Sequence, residues 1–212
     1  MKIGRRGFTL LETVISLGLF LMILSIAFVT WFHSYKNYHK LETRMELRQQ
    51  LRFAGDRISD DIKNASYVFA GRNAIIEGNS YEVPKFEESG TDLIMAIPEN
   101  ALVGNLTYTI IAYRLEKNDS DESNTDAYDL VRYEASGIVP ETVDTPATIN
   151  LDAISGGQEK IVSRYVDASR FQFIIKDLGK SVEVKPLATK RADAREQFYT
   201  DSFNVVQNIR NR

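Results

Sequence analysis

Hydrophobic and polar positions divide this chain into three stretches with different periods. From Thr13 to Tyr35 there is no Asp, Glu, Lys or Arg in 23 consecutive positions. As a helix rising about 1.5 Å per residue, that run is roughly 34 Å long, enough to cross the hydrocarbon core of a bilayer. Its side chains suit such a solvent: Val14, Ile15, Leu17, Leu19, Phe20 and Leu21 lead into Met22, Ile23, Leu24, Ile26, Ala27, Phe28 and Val29. Trp31 and Tyr35 fall where an interfacial aromatic belt belongs. A buried core helix of this length would carry a polar stripe, and this run has none.

Past the span the period becomes that of an amphipathic helix. Leu47, Leu51, Ala54, Ile58, Ile62, Ala65 and Phe69 recur every third or fourth residue on one face. The other face carries Arg44, Glu46, Arg48, Arg52, Asp56, Arg57, Asp60 and Lys63. The pattern predicts one helix from about Thr9 to Ala65, its apolar stripe packed on a sheet rather than paired in a coiled coil. Beyond Gly71 the signal is of strands: Asn73–Glu77, Asp92–Ile97, Tyr108–Leu115, Tyr128–Glu134, Phe171–Lys176, Ser181–Lys185 and Ser202–Ile209. All are short, rich in Val, Ile, Tyr and Phe, and bounded by Gly, Pro, Asn or Asp. The runs Thr107–Leu115 and Tyr128–Glu134 predict a hairpin around a polar loop. The expected class is α+β, a long N-terminal helix laid on antiparallel sheet.

Composition then removes whole classes of function. The chain has 212 residues, 43% of them hydrophobic, yet its mean hydropathy is −0.25. One apolar run beside a polar remainder fits neither a polytopic membrane protein nor a plain cytosolic globule. With 26 Lys+Arg against 29 Asp+Glu the net charge is −3, unlike the basic field of a nucleic-acid binder. The absence of cysteine removes disulfide scaffolds, thiolate zinc sites, cysteine nucleophiles and CxxC redox motifs.

Two ordinary accounts compete for the apolar run. A secretory signal would show the basic start (Lys2, Arg5, Arg6), a shorter apolar stretch and a cleavage site, for which Ser25-Ile26-Ala27 is the nearest match. The run continues through Phe28, Val29, Trp31 and Phe32, too long and too apolar for that. A simple anchor has to explain Glu12, a carboxylate at the mouth of the span. A charge within a membrane segment costs about 2.5 kcal/mol or more and usually marks a partner. It is also favoured at a helix N-terminus, where the dipole is positive. Position alone leaves both explanations of Glu12 open.

The residues around it are more specific. Lys2-Ile3-Gly4-Arg5-Arg6-Gly7, then Phe8-Thr9-Leu10-Leu11-Glu12 and the uncharged run, closely resemble the class III signal peptide of type IV prepilins and pseudopilins. The resemblance covers about the first 30 residues and follows the pattern without departure. It implies cleavage by prepilin peptidase after Gly7 on the cytoplasmic side, followed by N-methylation of Phe8. The new Phe8 amine of one subunit would meet the Glu12 carboxylate of its neighbour. Two charges that are costly alone in an apolar bundle would then compensate each other and set the subunit stagger. Loss of residues 1–7 removes three basic residues, leaving 23 basic and 29 acidic, net −6.

On this resemblance the chain comprises a leader (1–7), a transmembrane or filament-core helix (8–35), its amphipathic continuation (36–70) and an antiparallel β-rich body (71–212). Lys36, Lys40, Arg44, Arg48 and Arg52 follow the span, so charge counting does not choose an orientation; the resemblance implies a leader inside and a body outside the bacterial inner membrane. The segment Leu51–Ile62, the Tyr113-Arg114-Leu115 and Leu130-Val131-Arg132 hairpin and the terminal Ile209-Arg210-Asn211 are similar to J-class minor pseudopilins of type II secretion and W-class minor type IV pilins. The implied partners are prepilin peptidase, other major and minor pilins or pseudopilins, the inner-membrane assembly platform, and the lipid bilayer before assembly. A competence pseudopilin or minor pilin that binds DNA or surfaces is the nearest alternative. A single-pass anchored sensor or hydrolase with an uncleaved leader is the other.

Other candidate chemistry is thinner. Asp119, Asp121 and Ser123 alternate like the start of a calcium loop, with Asp126 nearby. Asn124, however, stands where Gly is required, and Leu130 where the bidentate Glu belongs. A solvated hairpin tip is the expectation, and no cofactor is expected. His33 and His39 are six apart on different helix faces, and HExxH, GxSxG and phosphate-binding Gly-loop motifs are absent. Asp60 and Asp61 are adjacent on a helix and point apart, so they do not form a catalytic carboxylate pair. No enzyme is expected. Arg48, Arg52 and Arg57 are expected to pair within the helix with Glu46, Asp56 and Asp61 rather than to contact DNA.

Overall fold

The computed structural model describes residues 9–99, 106–118, 127–139, 151–191, 198–202 and 204–209. Helix α1 (Leu10–Asn64) is 55 residues long and contains no proline. The chain divides into two compact units, Met1–Glu42 and Thr43–Arg212. In the first, the apolar helix side chains are exposed, among them Leu10 (85%) and Trp31 (60%). This is a single N-terminal helix long and apolar enough to cross a membrane. Phe28, Trp31, Tyr35 and His39 follow one another at one-turn spacing, with Trp31 stacked on Tyr35 at 5.7 Å between ring centroids.

In the second unit the helix is amphipathic, as its 3.6-residue period predicts. Leu47, Leu51, Ala54, Ile58 and Ile62 are buried against sheet, and Ala65 and Phe69 continue the buried row just past the helix end. The strands are β1 (Tyr67–Val68), β2 (Asn73–Ile76), β3 (Asn79–Glu82), β4 (Ser89–Gly90), β5 (Leu93–Pro98), β6 (Tyr108–Lys117) and β7 (Ala127–Ile138). They continue with β8 (Gln158–Asp167), β9 (Gln172–Lys176), β10 (Ser181–Lys185), β11 (Leu187–Arg191), β12 (Phe198–Ser202) and β13 (Val205–Asn208). Seven of them form one sheet in the order β1-β5-β6-β7-β8-β11-β12. Four form a second in the order β13-β10-β9-β4, and β2 pairs with β3 alone. Every ladder pairing is antiparallel; an isolated parallel bridge joins Ile76 to Ile154. The fold is α+β, a long N-terminal helix packed on antiparallel sheets, consistent with a pilin-like arrangement.

One core joins the helix to both larger sheets. Ala54, Ile58 and Ile62 meet Ile94, Ile110 and Tyr113 of the seven-stranded sheet and Phe173, Ile175, Val182 and Val184 of the four-stranded one. Phe171 and Phe173 contact edge to face, with centroids 4.8 Å apart. A smaller cluster of Leu47, Leu51 and Ala188 fastens the start of the buried stripe to β11. The helix therefore runs across the large sheet from β11 towards β1, where the Ser66 amide donates to the Ala96 carbonyl at 2.9 Å.

The predicted hairpin is β6–β7, with Leu115 opposite Leu130 and Tyr113 opposite Arg132. One expected strand divides, and β1, β3, β4, β8, β11 and most of β12 lie outside the expected strands. The stretch Ser202–Ile209 is not one strand: β12 ends at Ser202 in the large sheet, and β13 starts at Val205 in the small one. Its Val and Ile residues favour a strand, but propensity does not say which sheet a strand joins. The longest of the unexpected strands is β8, ten residues with charges at Glu159, Lys160, Arg164 and Asp167 that hide its strand character. Pairing with β7 on one side and β11 on the other makes it a strand, not a run of apolar residues. Its approach to the rest of the fold depends on Gly157, where a Cβ would lie 2.1 Å from the Tyr133 ring.

Candidate functional site

The sequence directs attention first to the N-terminal junction. Gly7 and Phe8 lie outside the described residues, as do the calcium candidates Asp119, Asp121 and Asp126. Glu12 is described, in the first turn of α1. Its carboxylate Oε2 accepts from the Thr9 backbone amide at 3.0 Å and from the Thr9 hydroxyl at 3.1 Å. The Glu12 amide in turn donates to Thr9 Oγ1 at 3.3 Å. This reciprocal exchange is a capping box: Thr9 and Glu12 each satisfy an amide that the helix start would otherwise leave unpaired. The Thr-x-x-Glu spacing, present in the sequence, is what makes it.

A second constellation lies inside the body, at the helix–sheet contact. Asp61 faces inward from α1 and is 5% exposed, while the neighbouring Asp60 points to solvent, where Lys63 pairs with it at 3.6 Å. The two carboxylates thus diverge, as expected for adjacent helix residues. The Tyr113 hydroxyl of β6 donates to Asp61 Oδ2 at 2.5 Å, and Arg132 Nε of β7 donates to the same oxygen at 2.7 Å. An Arg132 terminal nitrogen reaches Asp61 Oδ1 at 3.4 Å, and the other donates to Glu134. Arg57 approaches Asp61 at 3.8 Å from one helical turn before it, an intrahelical pair that the charge pattern anticipates.

The register of the hairpin builds this cluster. Tyr113 and Arg132 are direct cross-strand partners, so both side chains can reach one inward carboxylate. Burial raises the Tyr113 hydroxyl far above its ordinary pKa, and the nearby Asp61 charge adds to the effect. Burial works against the Arg132 charge, but its bonds to Asp61 and Glu134 outweigh that and keep it protonated. In the sequence Asp61 reads only as an acid that diverges from Asp60 and as an intrahelical partner for arginine. The Tyr113 and Arg132 hairpin motif was visible too, without the link between them.

Two further carboxylates organise loop backbone. Glu99, just after β5, accepts from the Thr109 hydroxyl at 2.7 Å, the Gly137 amide at 2.9 Å and the Thr107 hydroxyl at 2.8 Å. These bonds hold its carboxyl below the ordinary glutamate range. Glu77 and Gly78 close the β2–β3 hairpin with φ of 49° and 80°. The Glu77 carboxylate accepts from the Gly156 and Gly157 amides.

Of the histidines, His39 meets the Glu42 carboxylate at 3.4 Å and the edge of Tyr35. Among the described residues, no group of three His, Cys, Asp or Glu side chains is placed to hold a metal ion. The polar cluster at Asp61 ties α1 to the β6–β7 hairpin and so orients the helix on the sheet. No protein-family model, curated protein or solved structure gives a match to this chain.

Proposed function

We propose that this chain is a minor pilin or pseudopilin subunit, processed by prepilin peptidase and assembled into a type IV pilus or type II secretion pseudopilus, at or near its tip. Before assembly it sits in the bacterial inner membrane with its body outside the cytoplasm. The observation that carries the reading is Glu12, the charge at the start of an otherwise uncharged span, placed four residues after the Gly7-Phe8 junction. The α+β body under a long helix suits such a subunit, because one element can pack into a filament while the other remains at its surface.

The capping box adds a chemical step to this reading. In the single chain the Glu12 carboxylate is satisfied by Thr9, so it is not left bare at the helix start. Cleavage at Gly7/Phe8 creates an amine one residue before Thr9. In a filament, the amine of a neighbour replaces or joins Thr9 as the partner of Glu12, so assembly exchanges a weak local contact for an ion pair away from water. The work is mechanical, and no catalysis or cofactor is part of it.

Mass spectrometry of the mature N-terminus in the native host is the test. The expected species begins at N-methylated Phe8. A chain that retains Met1 through Gly7 overturns the reading and favours a single-pass anchored extracytoplasmic protein.

A further inference from the structure

We propose that a recess between α1 and β8 is a docking site for a neighbouring subunit, and that it takes a carboxylate carried beside an apolar side chain. The recess has a volume of about 120 Å³ and is lined by Phe53, Arg57, Arg132, Lys160, Ile161 and Val162. Phe53 and Arg57 stand one turn apart on the helix; Arg132 comes from β7 and the other three from β8. The inference rests on the filament reading for the identity of the partner as a sister subunit.

Two features give the occupant its chemistry. The first is charge. Arg57, Arg132 and Lys160 supply three cations, and the carboxylates in contact with them are Asp61 and Glu134. Lys160 has no ion pair among the described residues, so the recess keeps one positive charge in excess on a body whose processed chain is net acidic. The bonds of Arg132 to Asp61 and Glu134 use three of its five N–H donors, so further donors remain on a guanidinium that is already desolvated and held in place.

The second feature is apolar surface beside that charge. Phe53 is 63% exposed and Ile161 46% exposed, although both belong to elements whose other faces are buried. Interfaces are enriched in aromatic and arginine side chains, which Phe53 and Arg57 supply here, and a carboxylate completes the charge. A free small anion would use the cations but leave Phe53 and Ile161 in water. A polypeptide that places Asp or Glu next to an apolar residue uses both.

The test places the photo-crosslinking residue p-benzoylphenylalanine at position 53 of the full chain in its native host, alone and with Lys160→Glu. The expected product joins position 53 to a segment of another leader-bearing subunit with an Asp or Glu within a few residues of the attachment point. Lys160→Glu reduces its yield about tenfold or more, because a like charge now faces the incoming carboxylate. Lys160→Arg keeps the yield. Lys160 is exposed and lies opposite Arg132, so the Glu variant is expected to fold, which an unchanged melting temperature checks. Processed Phe8 termini with no crosslink, or with one indifferent to Lys160→Glu, overturn the docking site and leave the filament reading standing. Unprocessed termini overturn both.

Discussion

Asp61 illustrates how much a single buried charge depends on its partners. It is held by Tyr113 and Arg132; its removal leaves the buried Tyr113 hydroxyl without an acceptor and the desolvated Arg132 with Glu134 alone. Breaking such a pair costs about 3–5 kcal/mol, whereas replacing both members with apolar residues is often nearly neutral. Asp61→Ala is therefore expected to lose about that much stability, and Asp61→Ala with Arg132→Met to recover much of it. Denaturant unfolding of the full chain in detergent measures both; a single variant within about 0.5 kcal/mol of the parent would remove the clamp. Glu99 predicts a pH dependence. Its hydrogen bonds to Thr109, Gly137 and Thr107 lower its pKa in the folded chain, so its contribution is complete above the ordinary glutamate value. That contribution is lost as pH falls through the lower folded value. Glu99→Gln should accordingly reduce the melting temperature at neutral pH and leave it unchanged in strong acid. An equal reduction at both pH values would contradict the assignment.

At the scale of elements, the amphipathic half of α1 presents two faces with different tasks. Ile58 is buried between the helix and both larger sheets, and Ile58→Ala should cost about 2–5 kcal/mol through lost burial and the cavity left behind. Phe53 is a larger apolar side chain only five residues away, yet it is mostly exposed. Phe53→Ala should stay within about 0.5 kcal/mol of the parent in the isolated chain. Similar losses for both would mean that Phe53 packs internally. The helix itself was legible because its stripe keeps a 3.6 period for many turns, and β6 and β7 because they are long and rich in β-branched and aromatic residues. β8 was not legible, since its charges hide a strand made by neighbours on both sides. The break between β12 and β13 was hidden for a related reason: no local signal says that a chain leaves one sheet for another.

For the whole molecule, the feature that matters most is a carboxylate at the start of a helix whose next 23 positions are uncharged. Glu12→Ala removes the capping-box acceptor and, on the filament reading, the partner of a neighbour's amine. The variant should still be cleaved at Gly7/Phe8, because Glu12 lies beyond the scissile bond, and should be depleted from sheared filaments. Immunoblots of the membrane and sheared fractions separate the two effects, and normal incorporation would count against an assembly role. The Gly7-Phe8 to Glu12 pattern can be read from the sequence because its residues are contiguous. The clamp cannot, because Asp61, Tyr113 and Arg132 are 52 and 71 residues apart along the chain from the helix to the hairpin.

The sequence by itself determined the long helix, its uncharged half and its buried stripe, the β6–β7 hairpin and the Thr9–Glu12 cap. Each depends on residues a few positions apart, and period, propensity and capping are local properties. Tertiary structure decided the division into separate sheets, the place of β8, the convergence on Asp61 and the recess beside Phe53. Those arise where distant segments meet, so register and packing rather than local preference select the partners. The uncharged run is a segment able to cross a membrane because its length and composition are enough for that; which side chains the body buries and which it leaves at its surface is settled only by packing.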